Sequence, residues 1–411
     1  MLNVSLPEDI ARIVGAIHQT PRRMVLQFAG AGSQGLAWLH ALPGSSSTII
    51  EASDRYAAAS LVDALGYEPR QFTSLEVATD LAKGALTRAR RLEPNSHAFG
   101  VGLTATIATG RQKRGAHRMA LATWDSMGSL QLTLTLAKGK RDRAQEETLV
   151  SQLLLYALAL AAGARMPASY LLADITAEDH LMQAFVPHEH WRAFAEGTAK
   201  GTAAKETAAK ETAAEEMVAK KMVAKETVPL VHIADGVVTP ATQLRGLVLV
   251  SGSFNPLHEG HLELARSASE HVGAPACFEL PLANADKAPI DLVRAYGRVQ
   301  QFAGIAPVVL SHTPLFADKA RLFPESTFVV GADTAARLVD PRFYDDDPQK
   351  MCDALEQLRR AGCQILVAGR FDRASQRFVE LADIEVPESV AGLFTGLDFR
   401  RDISSTVLRE G

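Results

Sequence analysis

The apolar positions of this chain fall into short runs separated by polar turns, grouped in two blocks. In the first, MVLQFAG, STIIEAS, AFGVGLTATIAT, HRMALATW and SLQLTLTL are continuous or alternating apolar stretches of strand length. Residues 57–65, 75–92 and 143–162 carry apolar positions at three- and four-residue spacing, which predicts helices. Strands and helices mixed in this way predict an α/β layer domain over 1–164. A connecting segment, 165–197, follows. In the second block LRGLVLVSGS predicts a buried strand, with a helix from Gly260 onward. CFELPLA, APVVLS, STFVVGAD and CQILVAGR predict further strands. Their alternation with helical stretches predicts a second α/β domain over 229–411, built on a Rossmann-like, mostly parallel sheet.

Between the blocks the pattern changes to an Ala-rich repeat of period five over 198–228, with Lys200, Lys205, Lys210, Glu215, Lys220 and Lys225 on the beat. Five residues advance a helix by about 500°, so no single apolar stripe forms. Glu206 precedes Lys210 by four residues and Glu216 precedes Lys220 by four, the favourable order for helical ion pairs. The expectation is a semi-rigid helical spacer without chemistry of its own.

Composition narrows the classes. Lys+Arg number 43 against 47 Asp+Glu, a formal charge of −4, which argues against nucleic-acid binding through bulk positive charge. Cys277, Cys352 and Cys363 have neither metal-ligand spacing nor an even count for disulfides. MLNVSLPEDIARIV lacks the basic start of a signal peptide, and the most apolar run, LVSQLLLYALALAAGA, is too short to span a bilayer. A cytoplasmic protein without membrane partners is expected, and the composition leaves room for a homo-oligomer. His188, Glu189 and His190 in VPHEHW read as a solvated loop, and GRQKRGAHR (110–118) as a solvated basic turn.

The densest chemistry lies at 247–268, LVLVSGSFNPLHEGHLELARSA. A buried strand ends in a Gly/Ser/Asn/Pro turn and a helix begins near His258 and His261, where free N–H groups and the helix dipole favour phosphates. HEGH is one residue short of the zinc-protease spacing H-E-x-x-H. SGSFNPLHEGH, with Gly252, Ser253, Phe254, Asn255, His258, Gly260 and His261, resembles the G-x-F-x-P-x-H-x-G-H signature of the nucleotidylyltransferase superfamily. ISSTVLR, with Ser404, Ser405, Thr406 and Arg409, resembles its I-S-S-T-x-x-R partner, and Gly331, Ala332 and Asp333 resemble the G-A-D segment of nicotinate and nicotinamide mononucleotide adenylyltransferases.

The resemblance implies transfer of AMP from ATP to a mononucleotide phosphate, with Mg²⁺ accompanying ATP and no dedicated protein metal site. It assigns catalytic contacts to His258, His261, Lys287 and Arg409. Nucleotide binding falls to Gly252, Ser253, Phe254, Asn255, Gly260, Gly331, Asp333, Ser404, Ser405 and Thr406. Arg298 and Arg370 fall at positions similar to the same subfamily. The alternatives are transfer with CTP or a pantetheine-type acceptor, and a non-catalytic nucleotide-binding scaffold.

The N-terminal block supports two readings. Gly30, Gly32 and Gly35 form G-x-G-x-x-G after a strand, and Glu51 follows at the distance of a dinucleotide fingerprint. Residues 20–163 also resemble the C-terminal domain of the CinA family, which includes nicotinamide mononucleotide deamidases. GAGSQG stands for that family's E-S-x-T-G-G loop, with Ala31 at the catalytic serine. The resemblance implies a CinA-like fold, and the departure at Ala31 puts amidohydrolase activity in doubt, with Ser33 the alternative nucleophile. Gly30, Gly32, Ser33 and Gly35 remain as a candidate phosphate loop.

Overall fold

The computed structural model describes residues 6–110, 115–166, 168–189, 192, 194, 230–283, 290–372 and 377–399. The chain forms two compact units. Unit 1 is Met1–His188 with Asp291–Ile305, and unit 2 is Glu189–Ile290 with Ala306–Gly411.

Unit 1 begins with α1 (Glu8–His18) and continues β1 (Arg22–Ala29), α2 (Ser33–Ala41), β2 (Ile49–Asp54), α3 (Ala58–Leu65) and α4 (Leu75–Leu92). Then come β3 (His97–Thr106), β4 (His117–Trp124), β5 (Gly128–Leu136), α5 (Arg143–Ala162) and β6 (His180–Pro187). The sheet order is β2-β1-β3-β4-β5-β6. β1 runs parallel to β2 and β3, and the other neighbours are antiparallel. The sheet is therefore mixed and departs from the all-parallel dinucleotide-binding pattern.

Both faces of this sheet are covered. Gly102 and Leu103 are adjacent on β3, so their Cβ directions oppose. A Cβ on Gly102 would meet the Ala78 carbonyl oxygen of α4, whereas Leu103 reaches the Gly32 position beside Leu154 of α5. Asp142 and Gln145 close a reciprocal cap at the start of α5, through Gln145 N–H to Asp142 Oδ1 at 2.8 Å and Asp142 N–H to Gln145 Oε1 at 2.9 Å. The apolar run that comes closest to membrane length is this helix. It is buried on most sides, at Leu149, Leu153, Leu154, Leu155 and Leu158. Among the described residues no helix is long and apolar enough to cross a membrane.

Two parts of unit 1 differ from the sequence expectation. β6 falls in the segment read as a connector, yet it pairs with β5 along its whole length. The helix Leu292–Gln300, far along the chain, packs on α5 and β6. Tyr296 and Gln300 from this helix both donate to Asp125 Oδ2 at 2.9 Å, and Arg22 adds a third donor at 3.1 Å. All four side chains are buried.

Unit 2 contains β7 (Leu230–Ala234), β8 (Val237–Ala241), β9 (Val248–Ser251), α6 (Glu259–Val272), β10 (Ala276–Pro281), β11 (Val308–Ser311) and α7 (Phe316–Leu322). It continues with β12 (Thr327–Gly331), α8 (Ala332–Leu338), α9 (Pro348–Arg360), β13 (Gln364–Ala368), β14 (Arg370–Asp372), β15 (Arg377–Val379) and β16 (Phe394–Leu397). The main sheet runs β16-β13-β12-β9-β10-β11-β7-β8. From β16 to β11 every pairing is parallel, and the hairpin β7–β8 closes one edge antiparallel. Leu249, Cys277, Val309, Phe323, Phe328 and Leu355 are among the residues of its apolar core. β9 lies in the middle, so the loop leaving its carboxyl end sits where open parallel sheets bind ligands.

Candidate functional site

The loop after β9 is fixed by one aromatic residue. Phe254 is buried and meets Phe278 and His261 edge-on, at ring separations of 5.4 and 5.1 Å. Its φ of 43° turns the chain sharply, while Ser253 and Asn255 stay exposed on either side. Gly252 donates its N–H to the Glu279 carbonyl at 3.0 Å, tying the loop to β10. His258 then occupies the cap position of α6, and Gly260 is buried in the first turn.

The two histidines meet as the spacing predicts. Their rings stack at 3.7 Å with 24° between planes. The His258 N–H reaches His261 Nδ1 at 3.3 Å. Burial, and then the neighbouring His258, push the His261 pKa down to about 3. His261 is therefore neutral at pH 7. With Nδ1 accepting, its proton sits on Nε2, a donor suited to a phosphate oxygen.

Gly331 ends β12, the strand beside β9, and Asp333 follows on α8. Asp333 accepts a 2.6 Å bond from Arg370, so two residues picked out separately by sequence form an exposed ion pair. Lys287, Ser404, Ser405, Thr406 and Arg409 lie outside the described residues. Arg298 lies on the Leu292–Gln300 helix and so belongs to unit 1.

Sequence reasoning missed two features of unit 2. Glu279 and Lys319 form a fully buried ion pair at 2.5 Å, beneath the ends of β9, β10 and β11. The only sequence signal was a Glu inside the apolar run CFELPLA and a Lys in FADKARLF. Glu279 also helps raise the neighbouring Cys277 thiol to about 12, after burial itself, so that thiol stays protonated. The second feature is a cavity of about 530 Å³, whose lining includes Pro281, Leu315, Phe316, Arg337, Phe343 and Tyr344. These residues come from the end of β10 and from the segments following β11 and β12. Arg337 lies over the Phe343 ring at 4.6 Å.

In unit 1 the glycine loop has the backbone of an anion cradle, with φ of 90° at Gly30 and 103° at Gly32. Its donors already hold an anion from the chain itself. Glu147 Oε1 accepts from Gly32 N–H at 2.9 Å, Gln34 N–H at 3.1 Å and Ser33 Oγ–H at 3.1 Å. Gly35 N–H donates to Ser151 Oγ at 2.9 Å. Burial and then the charge of Glu147 raise the Asp54 carboxyl above its usual range, so two carboxylates oppose an incoming phosphate here. Ala31 is buried and offers no nucleophile. Glu51 is clasped by Arg88 at 2.7 Å. His188 is no solvated residue either: it bonds the Asp125 carbonyl at 2.9 Å and its ring lies 4.6 Å from Trp124. Of the basic stretch 110–118, His117 is buried against Glu146 at 2.8 Å, and 111–114 lie outside the described residues.

Comparison with known proteins bears on both units. Residues 249–411 match the cytidylyltransferase-like family. That stretch is nucleotidyltransferase-like. The nucleotidyltransferase-like region includes the paired histidines, the Gly331–Asp333 segment and the cavity. Solved structures similar to the N-terminal part include competence/damage inducible protein CihA from Agrobacterium tumefaciens, at 22% identity. That match covers 38% of this chain and 99% of the other, with a TM-score of 0.29. A CinA superfamily protein from Klebsiella pneumoniae matches at 14% identity, over 37% and 96% of the two chains, with a TM-score of 0.27. One from Escherichia coli matches at 17%, over 38% and 91%, with a TM-score of 0.26. No curated protein matches the chain.

Proposed function

We propose that the nucleotidyltransferase-like region transfers AMP from ATP to the phosphate of nicotinate or nicotinamide mononucleotide. The observation that carries this reading is the stacked His258–His261 pair at the start of a 14-residue helix, at the end of the central strand. An acceptor phosphate oxygen bonds to the α-phosphorus of ATP as the bond from that phosphorus to the β-phosphate bridge breaks, and pyrophosphate leaves. Such a step needs positioning and charge stabilisation and no covalent enzyme intermediate. Neutral His261 donates through Nε2 to a phosphate oxygen, with His258 stacked beside it. Lys287, Arg409, Ser404, Ser405 and Thr406 are assigned the remaining phosphate contacts by their motif positions. Mg²⁺ arrives with ATP as part of the substrate and offsets charge on the phosphate oxygens.

The apolar and aromatic walls of the cavity suit a flat base, and Arg337 supplies a cation for the acceptor phosphate. The cytidylyltransferase-like match favours, as a second reading, transfer from CTP. Pyrophosphate release measured over ATP and CTP, each with a panel of mononucleotide and pantetheine-type acceptors, separates the two. Turnover is expected with ATP and a pyridine mononucleotide, and His261→Ala should abolish it while the far-ultraviolet circular dichroism stays native. Full turnover in His261→Ala, or release with no pair at all, refutes the proposal.

A further inference from the structure

Three strand ends and one helix converge on the Glu279–Lys319 pair, which the transfer chemistry does not use. Glu279 Oε2 accepts from Lys319 Nζ at 2.5 Å and from the Ser251 hydroxyl, and Oε1 accepts from the Ser311 hydroxyl at 2.6 Å. Lys319 Nζ also stands 3.4 Å from Ser251 Oγ. Glu279 is 0% and Lys319 3% exposed. Every oxygen of the carboxylate is thus engaged, as a buried charge requires.

The pair joins two places that matter for the reaction. Ser251 is the last residue of β9, and the main-chain oxygen of Glu279 holds Gly252, the first residue of the histidine loop. Lys319 lies one turn into α7, and its ammonium sits 5.1 Å from the ring of Phe316, which lines the cavity. A buried ion pair adds little net stability over apolar residues of the same volume. Removing either partner, by contrast, strands the other as an uncompensated buried charge, so each is held where the other is.

We propose that Glu279 and Lys319 are positioning residues that hold the cavity wall at Leu315–Ala317 in register with the loop carrying His258 and His261. The proposal rests on nucleotidyl transfer as the activity of this region. It makes the pair the element that keeps acceptor and nucleotide aligned for in-line attack, a geometry in which a misplacement of about 1 Å costs on the order of 100-fold in rate.

The test compares Lys319→Met with the paired variant Glu279→Gln/Lys319→Met in the full chain. The single change strands a buried carboxylate and should lower Tm. The paired change removes both charges at nearly constant volume and should restore Tm. In the paired variant, kcat for pyrophosphate release should fall about 10- to 100-fold with KM for ATP within about twofold. Amide exchange of the non-proline residues in 252–258 and of 315–317 should quicken together. A folded paired variant with wild-type kcat, or with unchanged exchange in either segment, overturns the proposal. A wild type that releases no pyrophosphate refutes the transfer reading instead, and the exchange result then decides the positioning role by itself.

Discussion

The hold of Glu147 on the glycine loop can be tested by removing its charge and then its oxygens. In Glu147→Gln an acceptor oxygen remains, and the loss is charge assistance at the start of α2, worth about 1 kcal/mol. In Glu147→Ala the Gly32 and Gln34 N–H groups and the Ser33 hydroxyl lose their common acceptor. Ser33 is exposed and turns to water, whereas Gly32 is buried and Gln34 half-buried. One buried donor left unsatisfied, one partly so, and the lost charge together predict a cost of about 2–4 kcal/mol. Urea unfolding in a Trp191→Phe background, followed by the fluorescence of Trp38 and Trp124, both residues of unit 1, measures it. An alanine variant within about 0.5 kcal/mol of wild type would show that the carboxylate is incidental. The same preparation separates an internal anion from a ligand site. With Glu147 in place, millimolar phosphate should leave the unit 1 unfolding midpoint unmoved; a rise that persists in His261→Ala would mean that phosphate displaces the carboxylate.

Three further outcomes follow from the geometry. Because Ala31 is buried and offers no nucleophile and Ser33 is bonded to Glu147, ammonia release from nicotinamide mononucleotide should stay at background. Tyr296→Phe removes one donor to Asp125 and should cost unit 1 about 1–2 kcal/mol in urea unfolding; no change would mean that the hydroxyl carries no net stability. His261, at about 3 in the folded protein and 6.5 unfolded, takes up its proton first in the unfolded chain as pH falls. Its contribution to stability is thus lost between about pH 6.5 and 3, amounting to about 2 kcal/mol from pH 7 to 5, and His261→Asn should lose that much less over the same interval.

Periodicity located the elements that make local sense by themselves. The ranges 75–92 and 143–162 match α4 and α5, whose apolar spacing and capping residues are encoded within each segment. The core strands of both sheets were legible for the same reason. β6 was not, because HLMQAFVP is an edge strand with only Phe185 buried and so shows no alternation. The stacked histidines followed from three-residue spacing at a helix start. Glu279–Lys319 and Glu147 did not, since each draws its meaning from a partner that only the tertiary fold supplies, 40 and 115 residues away. The cavity, assembled from the end of one strand and the segments after two others, left no local trace either.

The Leu292–Gln300 helix bears on how this chain can be divided. Residues 249–411 match one family as a single stretch, yet Tyr296 and Gln300 from that stretch solvate the buried Asp125–Arg22 pair of unit 1. A boundary drawn where the motifs change would strand that pair without two of its donors. Family match and folding therefore parse the chain differently: exchanging residues 249–411 for a similar stretch would also transplant part of the N-terminal unit's core. Grafts across such a boundary should succeed only where the incoming helix brings a phenol and an amide at the same two positions.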